Sequence, residues 1–279
     1  MATLSIEPNP RVTFAVRYAS PSVLVVDKPG NVVTQPGVGH QHDTLLNGLF
    51  ATHGRELQQL GANRDFGLVH RLDRETSGLV AVALTADAYD ALREAFATRT
   101  VRKHYWAVCT KQPNEPSGVI RRNILEEVKR KDRYTSDKRA RLSHSGKPAV
   151  TAYRTLQVSD SAAIIEARPV TGRLHQVRVH LASIGAGVLG DKLYGPIRTS
   201  HAARRLALHA WRLVLPIDGE KIDVRSPMPR DIRRLLRLHD LEPISASRRR
   251  PGPASEPGPG NEPEPNHVTP RDTEPETFA

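Results

Sequence analysis

Residues Gly67-Leu68-Val69-His70-Arg71-Leu72-Asp73-Arg74-Glu75-Thr76-Ser77-Gly78-Leu79 set one carboxylate, Asp73, between two arginines. A hydroxyl pair and a glycine follow, and then an apolar run, Leu79 to Leu84, that reads as a buried strand. A carboxylate flanked by guanidinium groups has its ionised form favoured, which suits a nucleophile better than a general acid. The same residues also suit a surface turn with ordinary Arg–Asp pairing. Local chemistry alone leaves Asp73 open between the two.

Outward from this run the pattern is one of strands with a few helices. Val23 to Val26 is a short apolar stretch stopped by Lys28-Pro29-Gly30, a strand entering a turn. Thr44 to His53 reads as a short helix. Tyr89, Leu92 and Phe96 recur at helical spacing and predict a helix over 86–98. Lys103 to Cys109 reads as a strand with Tyr105 and Ala107 on one face and Trp106 and Val108 on the other. Val150 to Val158, Ala162 to Ala167 and Leu206 to Leu215 read as further strands. Leu174, Val177, Leu181 and Ile184 predict a helix over 173–184, and Pro229 opens a last one. Strands outnumber helices without alternating regularly with them. The expected class is α+β, with a mixed, largely antiparallel sheet and flanking helices.

The charge is uneven along the chain. The whole chain of 279 residues carries +11, yet residues 251–279 hold eight prolines and six acids against one arginine. Setting them aside leaves 40 basic and 24 acidic groups, or +16, on residues 1–250. Such an excess suits a polyanion, whose phosphates release counterions when Lys and Arg neutralise them. Residues 246–279 are expected to form a Pro/Glu-rich disordered tail, because they cannot offset ordering entropy by burial. Residues 121–141, with nine Lys/Arg and four acids, are expected to project as an exposed hairpin or loop. Lys129, Arg130, Lys131 and Arg133 in that segment are candidate residues for binding the polyanion.

Several classes fall away. No apolar run approaches the ~18 residues of a membrane span, and no signal pattern opens the chain. The single cysteine, Cys109, leaves no disulfide framework and points to a reducing, cytoplasmic compartment. His175 and His180 are five apart, off the shared face of an i, i+4 pair, and no HExxH occurs, so no metal is expected. Neither GxGxxG nor GxxxxGK[ST] is present, and no cofactor is expected.

The ordered motifs narrow the rest. His70-Arg71-Leu72-Asp73 followed by Thr76-Ser77-Gly78 resembles the signature of the RluA family of pseudouridine synthases. Val26-Asp27-Lys28-Pro29-Gly30, Lys103-His104-Tyr105-Trp106-Ala107, Gly172 to His180 and Gly190-Asp191-Lys192-Leu193-Tyr194-Gly195 are similar to other family motifs, in the same order. The resemblance covers about residues 13–240 and implies a catalytic domain over 13–245 after a 1–12 extension. Two departures stand out. Gly185-Ala186-Gly187-Val188-Leu189 replaces a frequent Gly-His-Pro, and about a dozen residues before the first motif leave no room for the N-terminal RNA-binding module of many relatives.

By that resemblance Asp73 is the catalytic carboxylate, either attacking the anomeric carbon or promoting a glycal. Tyr105 stacks on the flipped uracil and takes part in proton removal. Arg178 is the ion-pair partner of Asp73, or else a surface cation beside a core stripe. Arg71 either fills the space left by the base or meets a phosphate. His70, Arg173 and Gln176 complete the RNA-facing set, His70 as a structural group. The expected substrate is ribosomal RNA, then transfer RNA, bound by a monomer. A non-catalytic RNA-binding protein and a two-carboxylate glycosidase are the competing classes; the first need not keep Asp73, and the second leaves +16 unexplained.

Overall fold

The computed structural model describes residues 5–130, 136–195 and 203–246. Two apolar runs organise its core. Val23–Lys28 (β2) and Ser77–Ala83 (β3) pair antiparallel, Val23 against Ala83 and Lys28 against Gly78. Both are buried along nearly their whole length, which is why neither alternates in hydrophobicity. Period two then sends their side chains to two different cores. Leu24, Val26, Val80 and Val82 meet Leu45, Leu49, Phe50 and Leu57 of helix α1 (Leu45–Leu60). Val23, Val25, Leu79, Ala81 and Ala83 meet Tyr89 and Leu92 of helix α2 (Ala86–Ala97) on the opposite face.

The remaining strands extend this pair into one large sheet. They are β1 (Ala15–Ala19), β4 (Arg102–Cys109), β5 (Ser117–Arg121), β8 (Val150–Val158), β9 (Ala163–Pro169), β10 (Leu208–Ile217) and β11 (Glu220–Arg225). The order is β1-β2-β3-β10-β4-β9-β8-β5, with β11 also on β10. Among the described residues the β3–β10 pair is parallel and every other pair is antiparallel. A mixed, largely antiparallel sheet with flanking helices is the expected α+β class. A separate two-stranded sheet, β6 (Ile124–Arg130) and β7 (Ser136–Leu142), forms the hairpin expected from residues 121–141. Its base is not wholly exposed: Ile124 and Ala140 are buried in a small cluster with Ala149 and Val179. Of the expected RNA-binding residues, Lys129 and Arg130 fall within β6, while Lys131 and Arg133 lie outside the described residues, as do 247–279 of the expected tail.

Two helices depart from expectation. Helix α1 runs on to Leu60, with only a kink at His53; Thr44 caps it, in a box with Asn47. Helix α3 (Gln176–Ser183) begins later than residue 173, because His175 lies in the left-handed region at φ 52° and breaks the helical path. Helix α4 (Arg230–Leu238) follows Pro229 as expected. Among the described residues no helix is long and apolar enough to cross a membrane.

The short parallel contact fixes where the catalytic-signature run enters the sheet. Ser77 pairs with His209 and Gly78 with Ala210. Gly78 has φ +120°, and a Cβ there would lie 2.2 Å from the Ala210 carbonyl oxygen. Only glycine permits that approach. Gly78→Ala should therefore cost about 2 kcal/mol or more in urea unfolding. Gly37→Ala, whose added methyl meets nothing within 4 Å, should stay near the wild type. Equal stabilities for the two variants would contradict the close approach.

Candidate active site

Asp73 sits in a turn whose backbone is clasped on both sides. The Thr34 hydroxyl donates to the Leu72 carbonyl at 2.9 Å and accepts from the Leu72 amide at 3.2 Å. The Lys28 ammonium donates to the carbonyls of Pro29 (3.0 Å), Val32 (2.7 Å) and Arg74 (3.2 Å). Lys28 is fully buried, and that burial lowers its pKa to about 7. Residues 72 and 74 are thus fixed, and the side chain between them faces a cleft of about 750 Å³.

The partners of Asp73 come from far along the chain. Arg178 Nη1 donates to Asp73 Oδ2 at 3.3 Å, and His175 Nε2 stands 3.9 Å from Oδ1. Among the described residues, the flanking Arg71 and Arg74 are not ion-paired with Asp73, so the charge pairing expected from local sequence comes instead from α3. Arg178 is itself gripped by Asp191 through two bonds of 2.9 and 2.8 Å. Burial opposes charge on Arg178, but its bonds to Asp191 and the nearby Asp73 hold its pKa above the usual arginine value. Burial likewise opposes ionisation of Asp191, yet Arg178 and the amides of Leu193 and Tyr194 hold its pKa below the usual carboxylate range. Of the two readings of Arg178 that the sequence left open, the surface cation does not hold, since the residue is 5% exposed, and the pairing with Asp73 is the one the structure contains.

Tyr105 lies on central strand β4, paired with Ala210 on one side and Ala167 on the other. It is half-buried in the cleft wall, and burial, with the Asp73 charge, pushes its hydroxyl toward the phenol form. The cleft is lined by Arg71, Arg93, Arg99, Lys103, Arg173 and Arg178 against three acids, Asp65, Asp73 and Glu126. That is a positive frame around a single clasped carboxylate. Lys103 donates to the Thr171 carbonyl at 3.0 Å, and burial lowers its pKa to about 8.

The scan against family models matches residues 22–183 to the family described as RNA pseudouridylate synthase. The chain belongs to that family. Curated relatives agree. The ribosomal large subunit pseudouridine synthase D of Zymomonas mobilis is 35% identical over 237 residues, 81% of this chain and 73% of the relative. The protein of the same name from Nitrosomonas europaea is 36% identical over 247 residues, 85% of this chain and 69% of the relative. Among solved structures, human RNA pseudouridylate synthase domain containing 4 superposes with a TM-score of 0.63 at 27% identity, covering 82% of this chain and 94% of that one. Human RNA pseudouridylate synthase domain containing 1 also gives 0.63, at 26% identity, covering 86% and 92%. The chain is thus an RNA-directed isomerase of the RluA type.

Within this pseudouridine synthase cleft the other expected residues separate. Arg71 is exposed in the wall, and Arg173 donates to the Pro148 carbonyl at 3.2 Å. His70 accepts from the Ala81 amide at 2.9 Å and stacks on Phe96; burial lowers its pKa to about 3, leaving a neutral structural ring. The Gln176 amide, expected among the RNA-facing groups, is instead engaged inside the fold. Its oxygen accepts from Thr171 and Arg173, and its nitrogen donates to Val150 and Thr151. Thr34, Asp191, His175 and Tyr194 carry no role in the sequence reading. The last three sit inside quoted motifs, where their pairing is not readable from spacing. Among the described residues no group of three metal-binding side chains occurs.

Arg178 holds two carboxylates, so its loss should be costly. Arg178→Met strands the buried Asp191 charge and should destabilise the protein by about 3–5 kcal/mol in urea unfolding. Adding Asp191→Asn should recover a large part of that loss. Additive losses in the double variant would contradict the pairing.

Proposed function

We propose that the chain converts uridine to pseudouridine in large-subunit ribosomal RNA, with Asp73 as the reacting carboxylate. The observation that carries this reading is the Asp73–Arg178 pair at 3.3 Å in a cation-lined cleft beside Tyr105. The names of the Zymomonas and Nitrosomonas relatives favour ribosomal over transfer RNA. The +16 of residues 1–250 supports a polyanionic substrate.

The chemistry breaks the N1–C1′ bond of uridine, turns the base and joins C5 to C1′. The C5 proton leaves and N1 gains one, so the step is redox-neutral. The target nucleotide must first be extruded from its stack, at roughly a few kcal/mol. In this reading Asp73 either attacks C1′ or promotes a glycal, and Arg178 aims the carboxylate. Tyr105 receives the flipped uracil on its ring; burial keeps its hydroxyl protonated, so it can take up the C5 proton only as it passes its own proton on to solvent. Arg71, exposed in the wall, fills the vacated stack or meets a phosphate. Arg173, oriented by Pro148, lends charge to the rim. Lys129, Arg130, Lys131 and Arg133 of the basic segment 121–141 take the RNA backbone. We assign the activity to residues 13–245, working as a monomer in the cytoplasm.

Incubating the purified protein with total RNA from cells lacking it, and then mapping modified positions, tests the reading. New pseudouridine is expected in large-subunit ribosomal RNA. Pseudouridine appearing only in transfer RNA would overturn the substrate, and none in any cellular RNA that the protein binds would overturn the activity.

A further inference from the structure

Tyr194 touches both residues that face Asp73. The Arg178 guanidinium lies 5.1 Å over its ring, and the His175 ring meets it edge-on at 5.6 Å. Its hydroxyl oxygen is 2.8 Å from the Ala140 amide of β7 and 2.8 Å from His175 Nδ1. These two distances favour one proton position. The Ala140 N–H can only donate, so the phenol oxygen accepts from it. The phenol hydrogen then needs an acceptor, and His175 Nδ1 is the one within reach among the described residues. Were Nδ1 protonated instead, the oxygen would receive two donors and its own hydrogen would have only solvent to turn to. Nδ1 is therefore the acceptor, and the proton of the neutral ring sits on Nε2. Burial favours that neutral ring by lowering the His175 pKa.

Nε2 is the nitrogen that faces Asp73 Oδ1. At 3.9 Å it is beyond hydrogen-bond range. Such contacts often tighten only with substrate in place. The backbone points the same way: His175 is held at φ 52°, a conformation that persists for a non-glycine residue where its surroundings enforce it.

We propose that His175 is a positioning residue for Asp73, its Nε2–H closing on Oδ1 when RNA binds while Arg178 holds Oδ2. The tautomer that makes this possible is set by Tyr194 and, through it, by the Ala140 backbone of the basic hairpin. The proposal rests on the reading of Asp73 as the reacting carboxylate. It adds a link from the hairpin expected to bind RNA to the carboxylate expected to react.

The test uses the full chain and two readouts. Nitrogen-15 NMR of labelled histidine should find His175 as the Nε2–H tautomer, and Tyr194→Phe should turn it into a tautomer mixture while preserving the ring contacts. Single-turnover rates, with saturating enzyme over an unmodified large-subunit RNA transcript, give the second. His175→Leu should slow the reaction about ten- to a hundredfold with RNA affinity unchanged. His175→Gln, which keeps a side-chain N–H, should recover most of the rate, and Tyr194→Phe should fall between. A wild-type Nδ1–H tautomer, a His175→Leu rate equal to wild type, or a Gln variant as slow as the Leu variant would each overturn the proposal. The NMR readout needs no turnover, so an inactive wild type with the Nε2–H tautomer would count against the reading of Asp73 while supporting the hydrogen-bond chain.

Discussion

One guanidinium, that of Arg178, serves two carboxylates, and the site depends on it. A cation this buried is costly without a partner, and Asp191 supplies one through two bonds of 2.9 and 2.8 Å. Asp191 is in turn held by the amides of Leu193 and Tyr194 at 2.9 and 3.1 Å. With that side of the fork occupied, Nη1 is left for Asp73, 105 residues away in the chain. Asp191 fixes the cation and the cation aims Asp73. The charges in this triad come from three separate segments, so the site exists only once the sheet and α3 have assembled.

The sheet supplies the other half of the geometry. The β3–β10 contact is short, and Gly78 lets the two backbones approach where a side chain would block them. The signature run therefore leaves the sheet at a defined point. Thr34 and Lys28 then grip its backbone at residues 72 and 74. Three carbonyls around one fully buried ammonium make a rigid staple, because an unmade bond there would leave a polar group without water. The Asp73 side chain is placed by backbone restraint first and by Arg178 second.

Strands β2 and β3 were legible because burial on both faces gives an unbroken apolar run, and that pattern survives in sequence. Strands β1, β5 and β11 were not. Each has several exposed residues, such as Val16, Val119 and Glu220; β1 and β5 show neither a run nor a clean alternation, and β11 alternates only over the short stretch Lys221 to Arg225. The basic hairpin announced itself through charge, yet its buried foot at Ile124 did not. At the site, Asp73, Tyr105 and Arg178 were singled out together and the fold brings them to one cleft. The partner of Asp73 is the Arg178 that the resemblance implies; local chemistry alone could not pick it out, since Arg71 and Arg74 are its neighbours in sequence and Arg178 is its neighbour in space. Gln176 read as an RNA contact because its polar amide sits in a basic motif; its four internal bonds are long-range facts that spacing does not carry. Tyr194 and His175 were hidden for the same reason, with the left-handed backbone of His175 moving the start of α3.

In the proposed function Asp73 reacts while the surface around it binds RNA. Asp73→Asn keeps the shape and size of the side chain and removes its charge, and it separates these two roles. Single-turnover pseudouridine formation with this variant, at RNA concentrations where binding is measured in parallel, is the most direct measurement. The account predicts RNA affinity within about twofold of wild type, well inside the ~1.4 kcal/mol that a tenfold change represents, and no detectable product. A variant that binds equally well and still forms pseudouridine at a rate near wild type would contradict it.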